Sequence, residues 1–188
     1  MRNNHAKEKF IYCLEGNWNR NPRSLQSIKP ILELLCNFSK MKYIYHKCTT
    51  KEEFIKGLQK YTQKRYDNYS VLYIAYHGRK NRIYFGNEYI TLKEIAGILE
   101  GKLHGKTVHF GSCSTLNTSE KNISDFIECT KCSFISGYKK EVEYIDSTAF
   151  ELIYFEILQY YYSFNKVKKV ISQKYATLVE NLKFTICI

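Results

Sequence analysis

Short apolar runs alternate with amphipathic stretches along this chain. The runs at 10–14, 42–46, 71–76, 107–110 and 133–136 are brief and rich in aromatic and β-branched residues, which predicts strands. Between them the apolar residues recur at helical spacing. Leu25, Ile28, Ile31, Leu32 and Leu35 form one stripe, with Ser24 as its predicted N-cap. Thr50 and Glu53 make a capping box for a helix carrying Phe54, Ile55, Leu58 and Tyr61. Thr91 and Glu94 repeat the device ahead of Leu92, Ile95, Ala96 and Leu99. A β-hairpin is expected where Gly86-Asn87-Glu88 separates 82–85 from 89–90. A short helix is expected near 124–129. A long one, apolar nearly all round, runs from Ser147 to about 162, and a last one spans 167–182.

Strand and helix in alternation predict an α/β fold: a three-layer α/β/α sandwich with a mostly parallel, doubly wound sheet. Such sheets bind ligands outside the carboxyl ends of their strands. The loops 15–21, 77–79, 111–117 and 137–146 would then share one rim.

Length and composition narrow the class. The 188 residues, 44% apolar, suit a single domain over 1–188. The first nine residues lead into only a short apolar run, so no secretory leader is read, and no uncharged stretch approaches the ~18–20 residues of a membrane helix. The expected location is cytoplasmic, with no membrane partner. There the seven cysteines should be reduced, with Cys13, Cys36 and Cys187 sitting in apolar runs. Cys129-Thr130-Lys131-Cys132 is half of a zinc pattern without a second half, and reads as a helix-to-strand junction. The 29 Lys and Arg exceed the 18 Asp and Glu by 11. This excess is spread along the chain and no aromatic RNA-binding strand accompanies it, so nucleic acid is not the expected partner.

The chemistry sits at two strand ends. The run 71–76 leads into His77-Gly78, and the run 107–110 leads into Gly111-Ser112-Cys113-Ser114-Thr115. On neighbouring parallel strands these would bring an imidazole and a thiol to one edge. A cysteine nucleophile needs that: a base nearby and backbone N–H groups to hold an oxyanion. Gly78 and Cys113 would supply the N–H groups. The bland alternative is a buried cysteine and a strand-end histidine. Other cysteine chemistries fail on order or spacing. A cysteine phosphatase wants arginine six positions after the nucleophile, where Ser119 stands. A nucleophile elbow wants glycine where Thr115 stands. Papain-type sites place the histidine after the cysteine, and no histidine follows His109. His109 itself lies four residues before Cys113 on the same side of the strand, about 13 Å back, and reads as structural.

With these residues in place, the chain resembles the caspase-like cysteine peptidases: caspases, gingipains, separase and especially the bacterial CHAT domains. The matching pieces are the strand with His77-Gly78, the strand with Ser112-Cys113, and the later run 134–138 with Asp146, Ala149, Phe150 and Tyr154. The resemblance covers roughly residues 10–165. It implies a caspase-like fold and a Cys-His dyad endopeptidase without metal or cofactor. His77 would be the general acid/base, Cys113 the nucleophile and Gly78 part of the oxyanion hole. In such enzymes the imidazole acts mainly on the leaving amine, so no short Cys–His hydrogen bond is required. The residues flanking the nucleophile depart from caspases: Gly111-Ser112 and Ser114-Thr115 replace Gln-Ala and Arg-Gly, so an aspartate pocket is not supported. Glu141, Glu143 and Asp146 either are solvated loop charges or suit a basic side chain before the scissile bond (P1).

The leading expectation is therefore a cysteine endopeptidase acting on protein or peptide substrates. The resemblance places it among bacterial defence or regulated-death effectors, activated by a protein partner, self-association or processing. The alternative is a catalytically silent caspase-like module that binds a protein through the helix 147–162. A basic nucleic-acid-binding protein is the third reading.

Overall fold

The computed structural model describes residues 9–188 apart from 20, 22 and 162. His5 with the rest of residues 1–8, Arg20 of the first rim loop and residue 162 at the expected end of the long helix lie outside the described residues.

Three apolar runs form strands that bury every residue: β1 (Ile11–Glu15), β3 (Val71–Ala75) and β8 (Phe134–Tyr138). Strands apolar on both faces need helices on both faces. With β2 (Tyr43–Lys47), β7 (Thr107–Phe110) and β9 (Phe184–Cys187) they make a six-stranded sheet of order β2-β1-β3-β7-β8-β9. All neighbours run parallel except β9, which is antiparallel to β8.

Side chains of a strand alternate between faces, and the two cores follow that parity. Tyr12, Leu14, Leu72, Ile74, Val108 and Phe110 meet α2 (Lys51–Tyr61), α3 (Leu92–Ile98) and α4 (Glu120–Thr130) through Phe54, Leu58, Ile95 and Phe126. Ile11, Cys13, Val71, Tyr73 and Ala75 meet α1 (Lys29–Phe38), α5 (Tyr144–Tyr160), α6 (Phe164–Lys174) and α7 (Ala176–Leu182) through Leu32, Phe155, Ile171 and Leu182. The protein is thus α/β, with a mostly parallel sheet flanked by helices. Both capping boxes, Thr50 with Glu53 and Thr91 with Glu94, are formed. No helix among the described residues is long and apolar enough to cross a membrane.

The register sets the site. Glu15 pairs with Ala75, and Ile74 with Phe110, so the loops after β1, β3 and β7 leave the sheet at one level. The chain winds outward from β1 to β2 and returns to β3 on the other side of β1. The crevice at that reversal is where open α/β sheets take their ligands.

Four expectations need correction. The first helix starts at Lys29, not beside Ser24, and Leu25 is 96% exposed. The buried Glu15 carboxylate accepts the Ile28 N–H (2.7 Å) and the Ser27 hydroxyl (2.6 Å), which holds the chain extended up to the point where Pro30 starts the helix. The long helix starts at Tyr144 with Glu143 as N-cap, so Asp146 lies in its first turn and Ser147 inside it. Gly137 continues β8 rather than ending it. There a Cβ would lie 2.7 Å from the Phe110 carbonyl oxygen, at a φ of 159°. The last helix is two, α6 and α7, broken at Tyr175, and β9 follows them unpredicted. On α5, Phe150, Tyr154, Phe155, Ile157 and Leu158 are buried, so this aromatic surface is core.

Candidate active site

Glu15 ends β1 and is wholly buried. Its Oε1 accepts from the Trp18 indole N–H (2.5 Å) and the Ile28 backbone (2.7 Å). Its Oε2 accepts from the hydroxyls of Ser27 (2.6 Å) and Tyr45 (2.5 Å). Four donors fill the capacity of a carboxylate. They tie the loop after β1 down to β2 and fix Trp18 over the sheet edge.

His77 follows β3. Its Nε2 lies 2.8 Å from the Trp18 carbonyl oxygen, and the two rings meet edge-on with centroids 5.4 Å apart. A carbonyl only accepts, so Nε2 carries a proton, and in the neutral form of the ring the lone pair lies on Nδ1. Trp18 also meets Tyr144 edge-on at 5.4 Å. Burial, then the charges of Glu15 and Glu151, push that phenol up to about 12.

The short strand β4 (Gly78–Arg79) pairs with β5 (Arg82–Phe85), which pairs in turn with β6 (Glu88–Thr91). Tyr84 donates its N–H to the His77 carbonyl (2.9 Å). In a trans peptide the next N–H points the opposite way, so the Gly78 N–H faces away from β5. A Cβ on Gly78 would stand 2.7 Å from the Cys113 carbonyl oxygen and 2.8 Å from Ser112 Cβ. Glycine is what lets the histidine and cysteine loops touch.

Cys113 is half-buried, with its Sγ 3.6 Å from the Val142 carbonyl oxygen. Ser114 adopts a left-handed φ of 52° and donates its N–H to Lys140 (2.8 Å), which holds the loop after β8 against the cysteine. The thiol therefore bonds to Val142 and the imidazole to Trp18, rather than to each other.

A model of a family of unknown function (DUF6642) matches residues 8–187. The chain belongs to that family. No curated protein matches it in sequence.

In this DUF6642 chain His77, Gly78 and Cys113 line one open cleft of about 1320 Å³, and Glu141, Glu143 and Asp146 line it too. All six residues singled out from sequence are thus brought together. The three acids are exposed. Sequence reasoning placed Glu15 and Trp18 on the rim, in the loop 15–21, but gave them no role, and it missed the hairpin wall at 84–87 and Asn181 on α7. A second cavity of about 100 Å³ opens beside the first. Trp18, His77, Cys113, Val142 and Tyr144 surround it and Glu151 lies along it.

His109 is buried behind this edge. Its Nδ1 lies 2.9 Å from Ser136 Oγ and its Nε2 3.1 Å from Glu151 Oε1. The connectivity is that of a Ser-His-acid triad. Ser136, however, has no exposed surface and lines neither cavity, so these groups rigidify the core. Among the described residues no group of three or more His, Cys, Asp or Glu is placed to hold a metal ion. Cys129 and Cys132 are free thiols at the α4–β8 junction, both pushed up by burial.

Proposed function

We propose that this chain is a cysteine endopeptidase of caspase-like fold, with Cys113 as nucleophile and His77 as general acid/base. The observation that carries the reading is His77 held through Nε2 by the Trp18 carbonyl, with Nδ1 free, in the cleft that Cys113 lines. A histidine fixed in one tautomer at a strand end, beside a thiol on the next strand, is a built acid/base pair.

In the proposed cycle the Cys113 thiol gives its proton to His77 Nδ1. The thiolate adds to the scissile carbonyl, and the backbone N–H groups of Gly78 and Cys113 receive the oxyanion. The C–N bond breaks as Nδ1–H passes its proton to the leaving amine. A water then attacks the thioester, loses its proton to Nδ1 and releases the acid and the free thiol. Glu141, Glu143 and Asp146 share the cleft wall with Lys47, Arg79 and Lys140, and are the acids that would meet a basic P1 side chain there. A protein partner or self-association would control access, in keeping with the defence or regulated-death setting that the resemblance implies.

The test is covalent labelling with peptidyl electrophiles carrying Lys, Arg or Asp at P1, mapped by mass spectrometry. Modification of Cys113 ahead of the other six cysteines, lost in His77→Ala, is the expected result. Uniform slow labelling that ignores His77 would leave the silent binding module as the better reading.

A further inference from the structure

A buried acid lines the small cavity beside Cys113. Glu151 lies in the middle of α5, 2% exposed, and is one of the residues of that cavity's wall. Its oxygens accept from the Tyr73 hydroxyl, the Tyr138 hydroxyl (3.2 Å) and His109 Nε2 (3.1 Å). Burial, reinforced by Glu151 itself, pushes both phenols well up, so they remain neutral donors. On its other side His109 Nδ1 lies 2.9 Å from Ser136 Oγ, which accepts the Tyr154 hydroxyl (2.8 Å).

Glu151 is therefore a buried carboxyl held by two phenols and the imidazole of His109, the last at 3.1 Å. The cavity that it lines has apolar walls in Trp18, Ile28, Val142 and Tyr144. Apolar walls ending in one carboxylate suit methylenes ending in a positive charge. A carboxylate has about four acceptor positions, and three are taken. One open position fits a single ammonium N–H but not the two parallel bonds of a guanidinium fork.

We propose that Glu151 is the specificity residue of this site: the slot takes a lysine side chain at P1, with the ammonium on the Glu151 carboxylate. This rests on the peptidase reading and sharpens it. The exposed acids Glu141, Glu143 and Asp146 are balanced on the cleft wall by Lys47, Arg79 and Lys140, so the selection of lysine over arginine falls to Glu151.

The experiment is a comparison of labelling rates at Cys113 for peptidyl electrophiles with Lys, Arg, norleucine or Ala at P1. The wild-type protein should favour Lys over Arg and over norleucine by about ten-fold or more, because only the ammonium can use the remaining acceptor position of the carboxylate. In Glu151→Gln the Lys-to-norleucine ratio should fall to near one. Thr148→Leu fills the slot without touching the carboxylate, and there the Lys-to-Ala ratio should collapse. His77-dependent labelling with no lysine preference, or a preference that survives Glu151→Gln, overturns the proposal while leaving the peptidase reading intact. If no reagent labels Cys113 in a His77-dependent way, the peptidase reading fails, and n-butylammonium decides the slot. A saturable rise in melting temperature with n-butylammonium, absent with n-butanol and absent in Glu151→Gln, keeps the slot as a cation site. No rise overturns it.

Discussion

The Nε2 of His77 and the carbonyl oxygen of Trp18 meet at 2.8 Å across 59 positions of chain, and the acceptor is held in place by the Glu15 carboxylate. One buried acid on β1 thus fixes the tautomer of a histidine on β3. Glu15 acts through Trp18 and is a positioning residue.

Glu15→Gln tests that relay. An amide keeps one acceptor oxygen, so donors among Trp18, Ser27, Ile28 and Tyr45 lose their partner. Leaving a buried donor unpaired costs about 1–3 kcal/mol, which a urea midpoint would register. The His77-dependent labelling of Cys113 should also slow by about ten-fold, since a 1 Å misplacement of a catalytic group is felt strongly. Loss of stability with unchanged labelling and an unchanged pH profile would mean that the Trp18 loop holds its place without Glu15.

Two glycines make a second test. At Gly78 the backbone is not left-handed, but a Cβ would press on the Cys113 carbonyl oxygen at 2.7 Å. Gly78→Ala should separate the histidine and cysteine loops and cut labelling by about 100-fold, the scale of losing one oxyanion donor. At Gly86, the hairpin tip, φ is 62° and nothing lies near the missing Cβ. Gly86→Ala should cost about 1–2 kcal/mol of stability from the left-handed backbone alone, read in the same denaturant series. Equal labelling losses for the two variants would show that fold stability, not loop contact, controls the site.

Lys9 gives a pH dependence. Burial lowers its ammonium from 10.5 to about 8, where it donates to the carbonyls of Leu158 and Tyr161 (2.8 Å for the latter). Between about pH 8 and 10.5 the unfolded chain holds this proton more tightly than the folded one. Unfolding then takes up protons, so stability rises with pH through that window, and below it the full penalty for burying the charge is present. The slope should stay well below ~1.4 kcal/mol per pH unit because the group is partly solvated. Lys9→Met should flatten the difference between urea midpoints at pH 7.5 and 9.5. A parallel curve for the variant would show that Lys9 keeps its ordinary affinity for the proton in the folded state.

Much of the scaffold was legible because its signals are local. The four central strands are runs buried on both faces, and the two capping boxes are closed within four residues. His77 and Cys113 could be singled out because each follows such a run. Non-local features were not legible. Ser24 and Leu25 look like a helix start, yet Glu15, thirteen residues before Ile28, takes the N–H that such a helix would need. β9 has only four residues and follows a helix directly, turned by Lys183 at a φ of 47°. Glu151 left no trace, since Glu156 in the same apolar run is exposed, but Glu15 did: it is a lone acid at the end of an apolar run. Such an acid is buried and must find donors elsewhere in the fold.

The remaining thiols supply a last expectation, which also sets the background for any labelling of Cys113. Burial pushes the thiols of Cys13, Cys36, Cys129 and Cys132 upward, and takes Cys48 from 9.0 to about 11. A two-unit rise leaves about 100-fold less thiolate at pH 8, and the thiolate is the reacting form. Cys48 sits beneath Gly57 of α2 in the core. Its alkylation by iodoacetamide should be at least about 100-fold slower in the native protein than in urea, and should follow global unfolding as denaturant is added. Cys36, only partly buried on α1, should react at lower denaturant than Cys48. If Cys48 reacts in native buffer as fast as in urea, the junction of β2 and α2 opens without unfolding. The wall of the cleft at Lys47 and Thr49 would then be mobile rather than fixed.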